Sequence, residues 1–195
     1  MTESNKCRVG VAQVDITPPL GSDLDGYFHK RLAKEIKSRL YTKAMVIEGG
    51  GKCIALVSSD VCWTPEQIVN EAKRKIEEAC GIPPGAVIIS STHTHTSPVL
   101  DTVEGLPYSA DPKYVKEFTD NLVKAVTEAF NSMFEADIYY GKTDAEGFSI
   151  SKLCRLKNGR DVYDIRPMDG GKDGRIGFSA PLDTSVQVLC VKDTE

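Results

Sequence analysis

Residues 53–91 read CIALVSSDVCWTPEQIVNEAKRKIEEACGIPPGAVIISS, and their periodicity changes twice. Residues 53–59 are apolar and β-branched, the composition of a strand. Thr64, Pro65 and Gln67 then give a helix start, with Thr64 as the capping residue, Pro65 in the first helical position and Gln67 completing a capping box. Ile68, Ala72, Ile76 and Ala79 recur at helical spacing, and Gly81 marks the end. The run Ala86-Val87-Ile88-Ile89 shows no alternation, which predicts a strand covered on both faces, as in a parallel sheet. Strand, helix and strand in that order define a β-α-β unit, whose crossover brings both strand carboxyl ends to one edge of the sheet.

Outward from this unit, residues 40–48 (LYTKAMVIE) form a strand that reverses through Gly49-Gly50-Gly51 into residues 53–59, because glycine supplies the positive φ of a tight hairpin. Asp111 followed by Pro112 opens a second helix that runs to about Phe134 and buries Val115, Phe118, Leu122, Val126, Ala129, Phe130 and Met133. Residues 136–142 read as a strand, residues 148–166 as a hairpin or loop pair turning at Asn158-Gly159, residues 168–174 as a loop and residues 185–191 as a final strand. There is no internal repeat and no low-complexity tract. The pattern predicts an α/β fold: a single domain with a mixed β-sheet that contains a β-α-β unit and is flanked by helices.

The chain has 195 residues and 41% hydrophobic content, enough for one substantial core. Its net charge of -4 arises from 28 acidic and 24 basic residues that are interspersed, so no basic stripe is available for nucleic acid. The opening MTESNKCRVGVAQVD lacks the basic and apolar regions of a secretory signal, and no run approaches the ~18 apolar residues of a transmembrane segment. A cytoplasmic protein is expected. The six cysteines are scattered without a CxxC pair, and several sit in apolar runs, which predicts reduced, buried small hydrophobes.

Ligands of open α/β sheets collect beyond the carboxyl ends of the strands. At that edge the chain places Asp60 after one strand, and His93 and His95 after the other, within SSTHTHTSP (residues 90–98). In an extended segment side chains alternate, so His93 and His95 would share one side. Two imidazoles so placed could face one ion, or one could bind it while the other meets a substrate; imidazole suits zinc. Asp60 could hydrogen-bond an imidazole from behind the ion, or only cap the following turn. The HxHxDH pattern of metallo-β-lactamase-like hydrolases is excluded by Ser97 and Pro98, and an amidohydrolase-type barrel by the absence of any histidine after His95. The pattern by itself leaves a solvated threonine-rich loop without an ion equally open, and His29 reads as a surface residue among basic neighbours.

The stretch Thr92-His93-Thr94-His95 followed by Thr96-Ser97-Pro98 resembles the THTHSGP motif of the neutral/alkaline, non-lysosomal ceramidase family. Asp15-Ile16-Thr17-Pro18-Pro19 with Gly21 and Gly26-Tyr27 is similar to that family's DITPP…G…GY opening. Residues 40–46, then Ala55-Leu56-Val57-Ser58-Ser59-Asp60, resemble its next hairpin, and Pro181-Leu182-Asp183 with Val186, Val188 and Leu189 resembles a later strand entry. The similarity runs over nearly the whole chain.

The resemblance implies a zinc-dependent amidohydrolase with Zn2+ as cofactor, in which His93 is a metal ligand and His95 a catalytic contact to substrate or transition state. It implies hydrolysis of a lipid amide, an N-acyl sphingoid base, to fatty acid and sphingoid base. The family's basic stretch before an NG or DG turn corresponds to Ser151-Lys152-Leu153 with Arg155, which makes Lys152 and Arg155 candidate substrate contacts. The family's remaining ligands, a second His, a Glu and a Tyr, come from sequence downstream of residue 195. Residues 1–195 are therefore expected to be the amino-terminal portion of a ceramidase-like catalytic domain. The motif's Ser-Gly-Pro is replaced by Thr96-Ser97-Pro98. Two other classes stay open: a non-catalytic ceramidase-like binding module, and an amide or ester hydrolase acting on a small soluble substrate.

Overall fold

The computed structural model describes residues 7–163 and 174–194. Its elements are, in chain order, β1 (Cys7–Asp15), β2 (Tyr41–Gly49), β3 (Lys52–Ser59), α1 (Glu66–Cys80), β4 (Val87–Ser91), α2 (Pro112–Asn131), β5 (Phe134–Asp144), β6 (Leu153–Leu156), β7 (Asp161–Tyr163), β8 (Arg175–Phe178) and β9 (Ser185–Asp193). The chain divides into two compact units, Met1–Asp137 with Val191–Glu195, and Ile138–Cys190.

In the first unit the strands lie in the order β4-β3-β2-β1, followed by the opening residues of β5. β3 and β4 are parallel and the other pairs antiparallel, so the α/β reading with a mixed sheet and a β-α-β unit is what the structure shows. Gly50 and Gly51 form the two-residue turn between β2 and β3 with φ of 59° and 71°, and Gly49 pairs with Lys52. α2 packs on β1 and β2 and against α1. Ile68, Ala72 and Ile76 of α1 join Phe118, Leu122, Val126 and Ala129 of α2 over Ala44, Val46, Ala55, Val57 and Val87 of the sheet.

Sequence pattern leaves β1 unassigned, although it lies between β2 and β5. Its Gly10 bears on the missed assignment: a Cβ there would lie 1.8 Å from the carbonyl oxygen of Ala129. Glycine weakens the strand signal and at the same time lets the α2 backbone press onto the strand.

Other expectations are corrected. α1 is capped by Pro65 without a side-chain hydrogen bond, and the Thr64 hydroxyl instead lies 2.9 Å from Ser91 Oγ, tying the helix entrance to the end of β4. Ala79 is exposed, whereas Gly81 ends the helix at φ 71° as its type predicts. α2 does begin after Asp111, which accepts from the Lys113 amide at 2.9 Å, but it stops at Asn131, and Phe134 already belongs to β5. Most consequential is β4: Ile88 is 60% exposed while Val87 is 1% exposed. The helices cover one face of the sheet, so an apolar run without alternation does not here mean two covered faces.

In the second unit β6 pairs with β7 and β8 in a three-stranded antiparallel sheet, and β9 lies next to β5. The Asn158-Gly159 turn forms as expected, with Gly159 at φ 82° donating to Leu156 O at 2.9 Å. Residues 164–166 of the expected hairpin and 168–173 of the expected loop lie outside the described residues. All six cysteines are unpaired; Cys62 and Cys154 are buried, but Cys190 is exposed. Among the described residues no helix is long and apolar enough to cross a membrane.

Candidate metal centre

Two loops meet where β3 and β4 end. The Thr92 amide donates to Ser59 O and the His93 amide to Val61 O, each at 3.0 Å, so residues 92–93 continue the parallel pairing past the strand ends. The Cys62 amide donates to Ser97 Oγ at 2.8 Å, and the Ser97 hydroxyl reaches Thr94 O at 3.3 Å. The serine that stands in place of the motif's glycine thus closes the loop on itself.

His93 is the one non-glycine residue with positive φ among those described, at 61°. That conformation costs about 1–2 kcal/mol for a residue with a Cβ, and it turns the ring back over the β3 loop. Nδ1 of His93 lies 2.7 Å from Cys62 O and so carries the proton it donates there, which leaves Nε2 with a free lone pair. His95 Nε2 stands 3.4 Å from His93 Nε2, with the rings edge to face at 82°. The imidazoles converge as expected, but by a left-handed turn after β4 and not by strand alternation.

A second layer, from a segment the spacing argument overlooked, fixes His95. Gly26 has φ 91°, and a Cβ on it would lie 2.4 Å from His95 Cγ. Asp25, 7% exposed, accepts from the Gly26 amide at 2.6 Å and from the Trp63 indole N–H at 2.9 Å, with Tyr108 OH at 3.4 Å. The charge of this carboxylate adds to burial in pushing the Tyr108 phenol above its ordinary range. The Tyr27 ring meets His95 edge to face at 5.4 Å, and the Arg31 guanidinium carbon lies 3.9 Å from the centroid of the Tyr27 ring. Gly26-Tyr27 was legible as a motif; Asp25, Trp63 and Arg31 carry no sequence signal of their own.

The ligand atoms of Cys62, His93 and His95 all lie within 4.8 Å of one another. The imidazole pair suits a tetrahedral ion, because Zn–N bonds of about 2.0–2.1 Å place two nitrogens about 3.3 Å apart. Cys62 suits it less. Burial, reinforced by the Asp25 charge, pushes its thiol up and keeps it protonated, and its Sγ lies 3.7 Å from His93 Nδ1, the nitrogen already committed to a carbonyl. The Asp60 carboxylate accepts from the Tyr41 amide at 3.0 Å, and the residue's own amide donates to Tyr41 O. It ties β3 to β2 in the manner of a turn cap. Lys152 and Arg155 belong to the second unit, where Lys152 is exposed and Arg155 pairs with Asp161.

With this geometry in view, two solved structures share the fold. A neutral ceramidase from Pseudomonas aeruginosa superposes at a TM-score of 0.73 with 19% identity, over 98% of this chain and 30% of that one. A ceramidase complexed with C2 superposes at 0.67 with 19% identity, over 98% of this chain and 29% of the other. The chain therefore spans about 30% of the length of the solved ceramidases it matches. The profile of the amino-terminal part of the neutral/alkaline non-lysosomal ceramidases matches residues 7–158, which include both histidines and the glycine beneath them, and the chain belongs to that family.

Proposed function

We propose that this chain supplies the histidine face of a zinc-dependent amidohydrolase site, with His93 holding the ion through Nε2 and His95 contacting the substrate at the scissile amide. The observation that carries the reading is the division of labour on one ring. His93 Nδ1 is committed to Cys62 O at 2.7 Å, so Nε2 is the nitrogen left to face the space shared with His95. A bound zinc ion supplies Lewis acidity toward an amide carbonyl, which is what cleavage of an unactivated amide requires. Catalytic zinc takes about three protein ligands; in this reading His93 supplies one, and the others are assigned to polypeptide outside the described residues. Family membership and the ceramidase folds support an N-acyl sphingoid base as substrate.

His95 keeps its ring against Tyr27 and opposite His93, where it can donate to or accept from a reacting oxygen. Lys152 and Arg155 are retained as proposed substrate contacts, with Lys152 the stronger of the two because Arg155 is already paired. The test is zinc affinity and hydrolysis measured together. His93→Ala is expected to weaken zinc binding by at least about a hundredfold, above the 10–100-fold of losing an outer hydrogen-bond partner. His95→Ala is expected to keep zinc and lose turnover of a fluorescent N-acyl sphingosine. Zinc bound equally by wild type and His93→Ala would overturn the assignment, and turnover of a short-chain amide in place of the sphingosine would overturn the substrate.

A further inference from the structure

The loop over residues 23–32 closes on itself through a bridge between Asp23 and Leu32, and it lies along the end of the histidine segment through a bridge between Leu24 and Pro98. The Asp25 amide donates to Ser97 O at 3.0 Å, and the Val99 amide to Asp23 O at 3.1 Å. These backbone pairs hold the loop beside residues 97–99, two positions beyond His95, and fix nothing about the imidazole itself. One side chain does reach both. Nη2 of Arg31 donates to Asp25 O at 2.9 Å and to His95 O, and its guanidinium carbon stacks 3.9 Å from the Tyr27 ring centroid. That ring in turn meets the His95 imidazole edge on. Arg31 Nε is buried without a partner, so the group is held where it is by the two carbonyls and the ring face.

We propose that Arg31 is the positioning residue for His95. Its Nη2 ties the carbonyls of residues 25 and 95 together while its guanidinium carbon packs over the Tyr27 ring, which in turn meets the imidazole, so that His95 Nε2 stays opposite His93 Nε2. The geometry favours an arginine: one nitrogen meets both carbonyls, which an ammonium could also do, but only a planar guanidinium offers a face to the Tyr27 ring at the same time. Gly26 completes the arrangement from below, since any side chain there would occupy the space of the His95 ring. The proposal rests on the reading that His95 meets the substrate, because a ring with no task would not require a clamp. What it adds is the residue that sets the ring's orientation.

The chain contains three histidines, so its imidazole C–H resonances are few and can be assigned by substitution. The experiment records them in the metal-free protein for wild type, Arg31→Gln, Arg31→Lys and Tyr27→Leu, with His95→Gln to identify the His95 signals and a melting curve to establish folding. Expected are His95 signals displaced from their wild-type positions in all three variants, by more than those of His93, whose ring is anchored to Cys62 O. Arg31→Lys is expected not to restore them. Tyr27→Leu reads the same contact from the other side, should the arginine variants fail to fold. His95 signals unmoved in any folded variant of these three overturn the proposal. Neither zinc nor substrate is present, so a failure of the hydrolase reading leaves this outcome untouched.

Discussion

Gly26 and His95 occupy each other's side-chain space: a β-carbon on the glycine would sit 2.4 Å from Cγ of the imidazole, and the glycine's φ is 91°. Gly26→Ala therefore carries two penalties, a backbone one and a steric one. Gly21, with φ 88° and nothing within 4 Å of its Cβ position, carries the first alone. Gly21→Ala should cost about 1–2 kcal/mol in urea denaturation, the price of left-handed backbone for alanine. Gly26→Ala should cost more by about 1–3 kcal/mol, the range for forcing atoms into a packed site, or else displace His95. Equal losses at the two positions, with His95 resonances unmoved, would remove the glycine from the site.

His93 offers a test of backbone strain that needs no ion. Its φ of 61° is held by the hydrogen bond that its amide donates to Val61 O and by Nδ1 on Cys62 O. His93→Ala and His93→Gly both lose the ring, but only alanine retains a Cβ in left-handed backbone. The glycine variant is expected to be the more stable of the two by about 1 kcal/mol in the metal-free protein. The reverse order would mean that the loop relaxes to ordinary backbone once the ring is gone.

The sequence carried the site's two imidazoles and its place in the fold, and the physical reason is local. A β-α-β unit is written in contiguous residues, and its crossover sends residues 60 and 92–95 to a common edge whatever the rest of the chain does. Asp25, Trp63 and Arg31 could not be read this way, because their meeting depends on loops 38 residues apart whose course no periodicity encodes. Asp60 carried two readings, a partner for an imidazole or a turn cap, and the hydrogen bond it makes is the cap's. Topology brought it to the right edge, but a free backbone amide at Tyr41 lay within reach and took the carboxylate. The open face of β4 was missed for a related reason: apolar content in Val87-Ile88-Ile89 reports composition, whereas burial depends on which elements come to rest on the sheet.

The contact between α1 and α2 has a charged component with a defined pH window. Asp120 accepts from Lys116 at 2.7 Å and from Lys75 at 3.0 Å, and Lys75 also pairs with Glu71. Hydrogen bonds from Lys116 and then Lys75 hold the Asp120 carboxyl below its ordinary range. A carboxylate depressed by folding contributes stability that is present above the unfolded value, about 3.9, and is lost as pH falls through the lower folded value. The side chain is 44% exposed, so screening limits the contribution to less than about 1 kcal/mol. Asp120→Asn is expected to lose that increment at pH 7 and to converge with wild type in strong acid. A difference between the two proteins that grows as pH falls would contradict the sign.

Adjacent residues of β4 should respond very unequally to substitution. Val87 is 1% exposed and belongs to the core beneath the helices, so Val87→Ala removes two methyl groups from a packed site and should cost about 2 kcal/mol. Ile88 points to the other face, where the pairing register aligns it with Leu56, Met45 and Val11 across the four strands, and it is 60% exposed. Ile88→Thr keeps the β-branch that the strand favours and gives up little burial, so it should change stability by no more than about 0.5 kcal/mol. Thermal unfolding of the two variants decides the matter. A large loss at Ile88 in dilute protein would show that this row of apolar side chains is covered in solution.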